Sequence, residues 1–220
     1  MTNKRITLLA GHYGSGKTNI ALNLAYSLKE TNEKVAIADI DIVNPYFRTK
    51  DSEKELEQKG IRLICSEYAS SNIDIPALPQ DIYSITDDRS WKAVIDIGGD
   101  DRGALALGRY AKKIIEENDY EMAFVINCYR PLTPTPQDAL EVLKEIEFAG
   151  KIPFTSIINN SNIGEETTAE DVLASLDFAK EVSTLCGLPI KFTSVDKRLI
   201  TELSGKIPDL FPLKLQDKII

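Results

Sequence analysis

The residues best equipped for chemistry lie near the start of the chain, in the stretch GHYGSGKT, Gly11 to Thr18. Gly11, Gly16, Lys17 and Thr18 satisfy the spacing G-x-x-x-x-G-K-[ST] of a phosphate-binding loop. Glycines let the backbone curl so that successive N–H groups point at phosphate oxygens, and a following helix adds positive potential at its N-terminus. Lys17 is suited to neutralise β- and γ-phosphate charge, and the Thr18 hydroxyl to ligate Mg²⁺. The residues expected to line the phosphates are Gly11, His12, Tyr13, Gly14, Ser15, Gly16, Lys17, Thr18 and Asn19.

A magnesium-side acid is expected at the end of another apolar strand. The run AVIDIGG supplies Asp96, with Gly99 placed to sense a γ-phosphate through its N–H. A third element, IADIDIVNPYFRTKD, carries Asp39 and Asp41 on the same face of a strand end. Two close carboxylates raise each other's pKa unless a cation sits nearby, and a Mg–nucleotide site provides that cation. Asp41 is then placed to polarise an attacking water. The expected metal-side set is Thr18, Asp41 and Asp96, and the expected catalytic set Lys17, Asp41 and Asp96.

The elements that must position these residues alternate. Short β-branched or apolar runs read as strands over 5–10, 34–39, 61–64, 92–97, 122–127, 154–159 and 190–194. Most are nearly continuous in apolar residues, as strands covered on both faces are. Helices are predicted over 17–30, 51–59, 103–117, 136–149 and 168–185, the first with Ile20, Leu24 and Leu28 on one face. Asp101 reads as the N-cap of the helix starting near Gly103. The order argues an α/β fold, a doubly wound and mostly parallel sheet of about seven strands with helices on both faces. The chain, 1–220, reads as a single nucleotide-binding domain. The segment from Ser66 to Asp88 is the least regular and is the candidate substrate- or partner-facing insertion.

Composition narrows the partners. The net charge is −8, from 26 basic and 34 acidic residues, which argues against nucleic acid as a partner. Three widely spaced cysteines, Cys65, Cys128 and Cys186, form no close pair and read as reduced thiols. The apolar run after Lys4 and Arg5 is too short for a signal peptide, and no segment has the length of a membrane span. The expected compartment is the cytoplasm. The C-terminal GKIPDLFPLKLQDKII is rich in apolar residues and lysine, but Pro208 and Pro212 confine any helix to about its last eight residues. That is short for a stable membrane anchor, and packing on the domain is the expected use.

GHYGSGKTNIALNLA, ADIDIVNPYF and VIDIGG together resemble the Par/Min-type (CobQ/CobB/MinD/ParA-like) P-loop ATPases. The resemblance covers nearly the whole chain in element order. It implies ATP or ADP and Mg²⁺ as ligands, Asp41 as the acid that positions the hydrolytic water, and Asp96 as the switch acid beside magnesium. The run IINN resembles the family's adenine-reading strand end, which points to Asn159 first and Asn160 next. TSVDKRL resembles the later loop that packs on the base, which suggests Val195 and Asp196. One residue departs from the pattern. The family's second loop lysine aligns with His12, and in the family that lysine reaches a partner's phosphates across a dimer. His12 is a partial substitute, or Arg48 or Arg102 supplies the charge, or His12 is an exposed loop residue with no catalytic part.

The resemblance and the motifs support three functions. The first is an ATP-dependent switch acting on a protein partner, with an ATP-dependent homodimer as one form of it. The second is an ATP-dependent small-molecule kinase or ligase. The third is metallocofactor maturation, ranked last because a close cysteine pair is missing.

Overall fold

The computed structural model describes residues 4–40, 52–65, 82–99 and 101–215. Among these residues eight strands form one sheet: β1 (Ile6–Ala10), β2 (Val35–Asp39), β3 (Arg62–Cys65), β4 (Lys92–Asp96), β5 (Tyr120–Ile126), β6 (Ser156–Asn159), β7 (Ile190–Asp196) and β8 (Leu210–Leu213). Their order across the sheet is β3-β2-β4-β1-β5-β6-β7-β8, and every pairing is parallel. The fold class therefore stands as expected, with eight strands rather than about seven. The added strand is β8. Pro212 weakens its strand signal, but proline is tolerated on an edge strand, and β8 is the edge beyond β7, where Pro212 is exposed.

The helices are α1 (Lys17–Lys29), α2 (Glu53–Gln58), α3 (Ile82–Asp87), α4 (Asp101–Glu117), α5 (Pro136–Gly150), α6 (Ala169–Cys186) and α7 (Ile200–Leu203). Short 3₁₀ turns cover Gly164–Glu166 and Lys197–Leu199. α3 falls inside the segment expected to be irregular. α4 begins at Asp101 itself, so Asp101 is a helical residue and not the cap.

Two apolar layers clamp the sheet. On one face Ile6, Leu8, Ala10, Phe124 and Ile157 pack with Ile85 of α3, Leu107 of α4, Leu143 of α5 and Val182 of α6. On the other, Leu9, Ile37 and Val94 pack with Ile20, Leu24 and Leu28 of α1 and Leu56 of α2. The alternation along β1 sends Leu8 to one layer and Leu9 to the other, as period-2 geometry requires. At roughly 25 cal/mol per Å² of apolar surface removed from water, these layers supply most of the driving force for folding. β8 joins the second layer through Phe211, which stacks on the buried Phe192 at 4.7 Å between ring centroids.

The strand order also fixes where a ligand goes. From β1 the chain crosses to β2 on one side, and after β4 it crosses to β5 on the other. Crossovers that diverge in this way leave a crevice at the carboxyl ends of the central strands. The loops after β1 and β4 open there.

Candidate nucleotide-binding site

The loop between β1 and α1 is a compact turn closed by Ser15 N–H donating to the His12 carbonyl at 3.1 Å. Gly16 sits at φ 90°, left-handed, as the residue before α1. A Cβ there would stand 2.2 Å from Asn160 Nδ2, so the position requires glycine on two counts. Lys17 is buried, and its ammonium donates to the carbonyls of Gly11 at 3.0 Å and His12 at 3.3 Å. Those bonds hold the charge over the loop. Asn19 is the third residue of α1, half-buried on its first turn.

The acid strand lies beside the loop. β1 and β4 are neighbours, with Leu9 opposite Asp96. Asp96 is 1% exposed, and the Thr18 hydroxyl donates to its Oδ2 at 2.7 Å. On its other side β2 places Asp39 directly opposite Asp96, and Asp39 is also buried. A hydroxyl and two carboxylates at adjoining strand ends are hard oxygen donors of the kind Mg²⁺ takes, commonly with one or two carboxylates plus phosphate and water. The residues present therefore fit the ion. No group of three or more His, Cys, Asp or Glu side chains among the described residues is arranged to hold a metal by itself. Asp41, the expected water-positioning acid, lies outside the described residues, as does Arg48; so does the side chain of Arg102.

Gly99 presses on the loop. A Cβ on it would stand 2.6 Å from Tyr13 N and 3.1 Å from His12 C. Gly103, on the first turn of α4, is packed as tightly, with its Cβ position 2.7 Å from Gly98 Cα. Backbone contact thus runs from the phosphate loop through 98–99 into α4. His12 is half-buried, with Nδ1 3.1 Å from the Tyr13 carbonyl, while the Tyr13 ring is exposed.

The two asparagines at the end of β6, Asn159 its last residue and Asn160 the next, are engaged within the protein. Asn159 is 0% exposed; its Nδ2 donates to Ser175 Oγ at 3.0 Å, and its Oδ1 accepts from the N–H and hydroxyl of Ser161. Asn160 donates to the Ser15 carbonyl at 2.6 Å and accepts from the Ser194 hydroxyl at 2.7 Å. A cleft nevertheless opens beside them, lined by Asn160–Asn162, Val195, Asp196 and, at and just past the end of β8, Leu213 and Leu215. Val195 and Asp196, expected to pack on a base, both line it. The Asp196 carboxylate accepts from Arg198 N–H and Nε, each at 2.9 Å.

Several contributors escaped sequence reasoning. Asn127, at the end of β5, donates to the Asn162 carbonyl at 3.1 Å, tying the loop after β5 to the loop after β6. Leu213 and Leu215 enter the cleft only because β8 joins the sheet. Arg130 lies against Gly14 of the phosphate loop, and no spacing rule relates residues so far apart in sequence.

The model of the CobQ/CobB/MinD/ParA nucleotide-binding domain matches residues 6–168. The chain belongs to that family. Membership makes it a P-loop nucleotide-binding protein, in agreement with the loop geometry. No functionally curated protein matches it. Among solved structures, this family member is similar in fold to the cell division protein FtsY of Thermotoga maritima, with 22% identity, a TM-score of 0.57, and coverage of 86% of this chain and 61% of that one. It is similar to chloroplast FtsY of Physcomitrella patens at 17% identity and TM-score 0.59, covering 88% and 59%. It is also similar to the signal recognition particle 54 kDa protein of Aeropyrum pernix, solved with GDP, at 21% identity and TM-score 0.53, covering 88% and 41%. The chain spans less than two thirds of each of these proteins. None of its described helices is long and apolar enough to cross a membrane.

Proposed function

We propose that the protein is a Mg-dependent ATP hydrolase that works as a nucleotide switch on a protein partner. The observation that carries this reading is the Thr18–Asp96 bond at 2.7 Å, joined to the backbone contact of Gly99 with His12 and Tyr13. A group bound at the loop meets both at once. Whatever displaces residues 96–99 is passed to α4 through the Gly98–Gly103 contact. That is the arrangement a switch needs: one ligand site bearing on one movable segment.

The bound nucleotide and its magnesium supply the scissile phosphoanhydride and the counter-charge around it. The chain does the rest. The loop N–H groups orient the phosphates, and Lys17 moves its ammonium from the loop carbonyls onto them. Asp96 holds the Thr18 hydroxyl on the metal side. Asp41 orients the attacking water, a role that rests on the family resemblance. The cleft lined by Asn160–Asn162, Val195, Asp196, Leu213 and Leu215 would hold the base, offering both polar and apolar side chains to it. Adenine is the base the family resemblance favours; the Aeropyrum neighbour holds GDP, so guanine is the competitor to test. The partner is a protein, a second copy of this chain being one form of it, and the compartment is the cytoplasm.

Phosphate release from ATP and from GTP, and solution mass by light scattering with ADP and with a non-hydrolysable ATP analogue plus Mg²⁺, test the reading. Mg-dependent ATP hydrolysis that Lys17→Ala abolishes is expected, with a mass or partner affinity that differs between the two states. Equal mass and equal partner binding in both states would sink the switch while leaving nucleotide binding intact.

A further inference from the structure

Arg130 sits on the loop between β5 and α5, and its side chain crosses to the phosphate loop. A Cβ on Gly14 would stand 3.6 Å from Arg130 Cδ, 3.6 Å from Nε and 3.9 Å from Cζ. The arginine stem and guanidinium therefore lie along the bare backbone of the loop's fourth residue. Arg130 is half-buried, and its Nε is fully shielded from solvent with no hydrogen-bond partner among the described residues. A shielded donor on a cationic group costs free energy unless something anionic meets it.

The position is built. Arg130 N–H donates to the Asn127 carbonyl at 3.2 Å, and the Arg130 carbonyl accepts from Thr133 N–H at 3.2 Å. The Asn127 side chain accepts from Tyr129 N–H at 3.0 Å and from Asn162 N–H at 3.3 Å. The Tyr129 hydroxyl donates to the Asp171 carbonyl at 2.7 Å, anchoring the turn to α6. A turn held at so many points brings its arginine to the loop already oriented, which lowers the cost of using it.

We propose that Arg130 is a phosphate-contacting residue of the nucleotide site, supplying within the same chain a second cationic side chain at the phosphate loop. The proposal rests on the nucleotide reading above. His12 has its ring turned to the Tyr13 carbonyl, whereas Arg130 has an unsatisfied cationic donor beside the loop. A guanidinium is charged at every working pH and can grip phosphate through two N–H groups at once. Gly14 sits at φ 76°, in the left-handed region that favours glycine, and the arginine lies in ordinary contact distance of the Cβ position there.

The test compares wild type, Arg130→Met, Arg130→Lys and Lys17→Ala by calorimetric titration with ATP and with GTP in Mg²⁺. Methionine keeps the apolar stem against Gly14 and removes the charge. Arg130→Met is expected to bind the preferred triphosphate about tenfold to a hundredfold more weakly, with Arg130→Lys recovering part of the loss. Wild-type affinity in Arg130→Met, or equal losses in the methionine and lysine variants, would overturn the proposal and leave the nucleotide reading standing. A wild type that binds neither triphosphate, matching Lys17→Ala, would overturn the nucleotide reading and this proposal with it.

Discussion

The side-chain amide of Asn160 donates to the backbone carbonyl of Ser15 at 2.6 Å, joining residues 145 apart in sequence. The same amide oxygen takes the Ser194 hydroxyl, so one buried side chain ties the phosphate loop to β6 and β7. Asn160→Ala leaves a buried carbonyl and a buried hydroxyl with one partner fewer. Urea unfolding is expected to show a loss of about 2–4 kcal/mol, and nucleotide affinity is expected to fall as the loop loosens.

Thr18 and Asp96 are expected to act as a unit on the metal side. Thr18→Val keeps volume and removes the hydroxyl; Asp96→Asn keeps shape and removes the charge. Both are expected to abolish the gain in nucleotide affinity that Mg²⁺ gives wild type. The check is to titrate each variant in Mg²⁺ and again in EDTA. In a double-mutant cycle the two changes should be strongly non-additive, because they remove one shared interaction.

Asp88 makes a pH-dependent contribution remote from the site. The Ser90 hydroxyl and then the Ser90 N–H hold its carboxyl down at about 2, against an ordinary value of 3.8, with Lys34 adding to the effect. The folded value lies below the unfolded one, so the contribution is present above the ordinary value and is lost as pH falls from there toward about 2. A carbon-detected NMR titration of Asp88 is expected to show the low midpoint, and Ser90→Ala to move it up toward 3.8.

The stacking of Phe211 on Phe192 helps fasten β8 to the sheet, beside its ladder with β7. Phe211→Ala is expected to cost about 1–3 kcal/mol, less than a fully buried phenylalanine because Phe211 is half-exposed. Leu213 sits two residues on and lines the cleft, so the substitution should also weaken base binding. Denaturation curves and nucleotide titration on the same variant check both.

These contacts show why the sequence disclosed some parts and hid others. The loop from Gly11 to Thr18 carries a local signal: seven chain steps hold its residue types, even though Asn160 and Gly99 brace it from afar. Asp96 was legible for the same reason, as an acid closing an apolar strand. β8 was not, because Leu210–Leu213 contains a proline and becomes a strand only by docking on β7. The resemblance pointed to Asn159 and Asn160 as base readers, but their amides are engaged by Ser175, Ser161, Ser15 and Ser194. Nothing in the linear order gives those partners. Arg130 was hidden most completely. Its relation to Gly14 exists only because β5 lies next to β1, with Ala10 opposite Phe124.

The most direct test of the account is the binding of ATP and GTP to the wild-type protein and to Lys17→Ala, by isothermal titration in Mg²⁺ and in EDTA. One site per chain is expected, tighter in Mg²⁺, with ATP preferred, and lost in Lys17→Ala. Binding of neither nucleotide, or binding indifferent to both Mg²⁺ and Lys17, would contradict it; a preference for GTP would keep the site and overturn the assignment of its base.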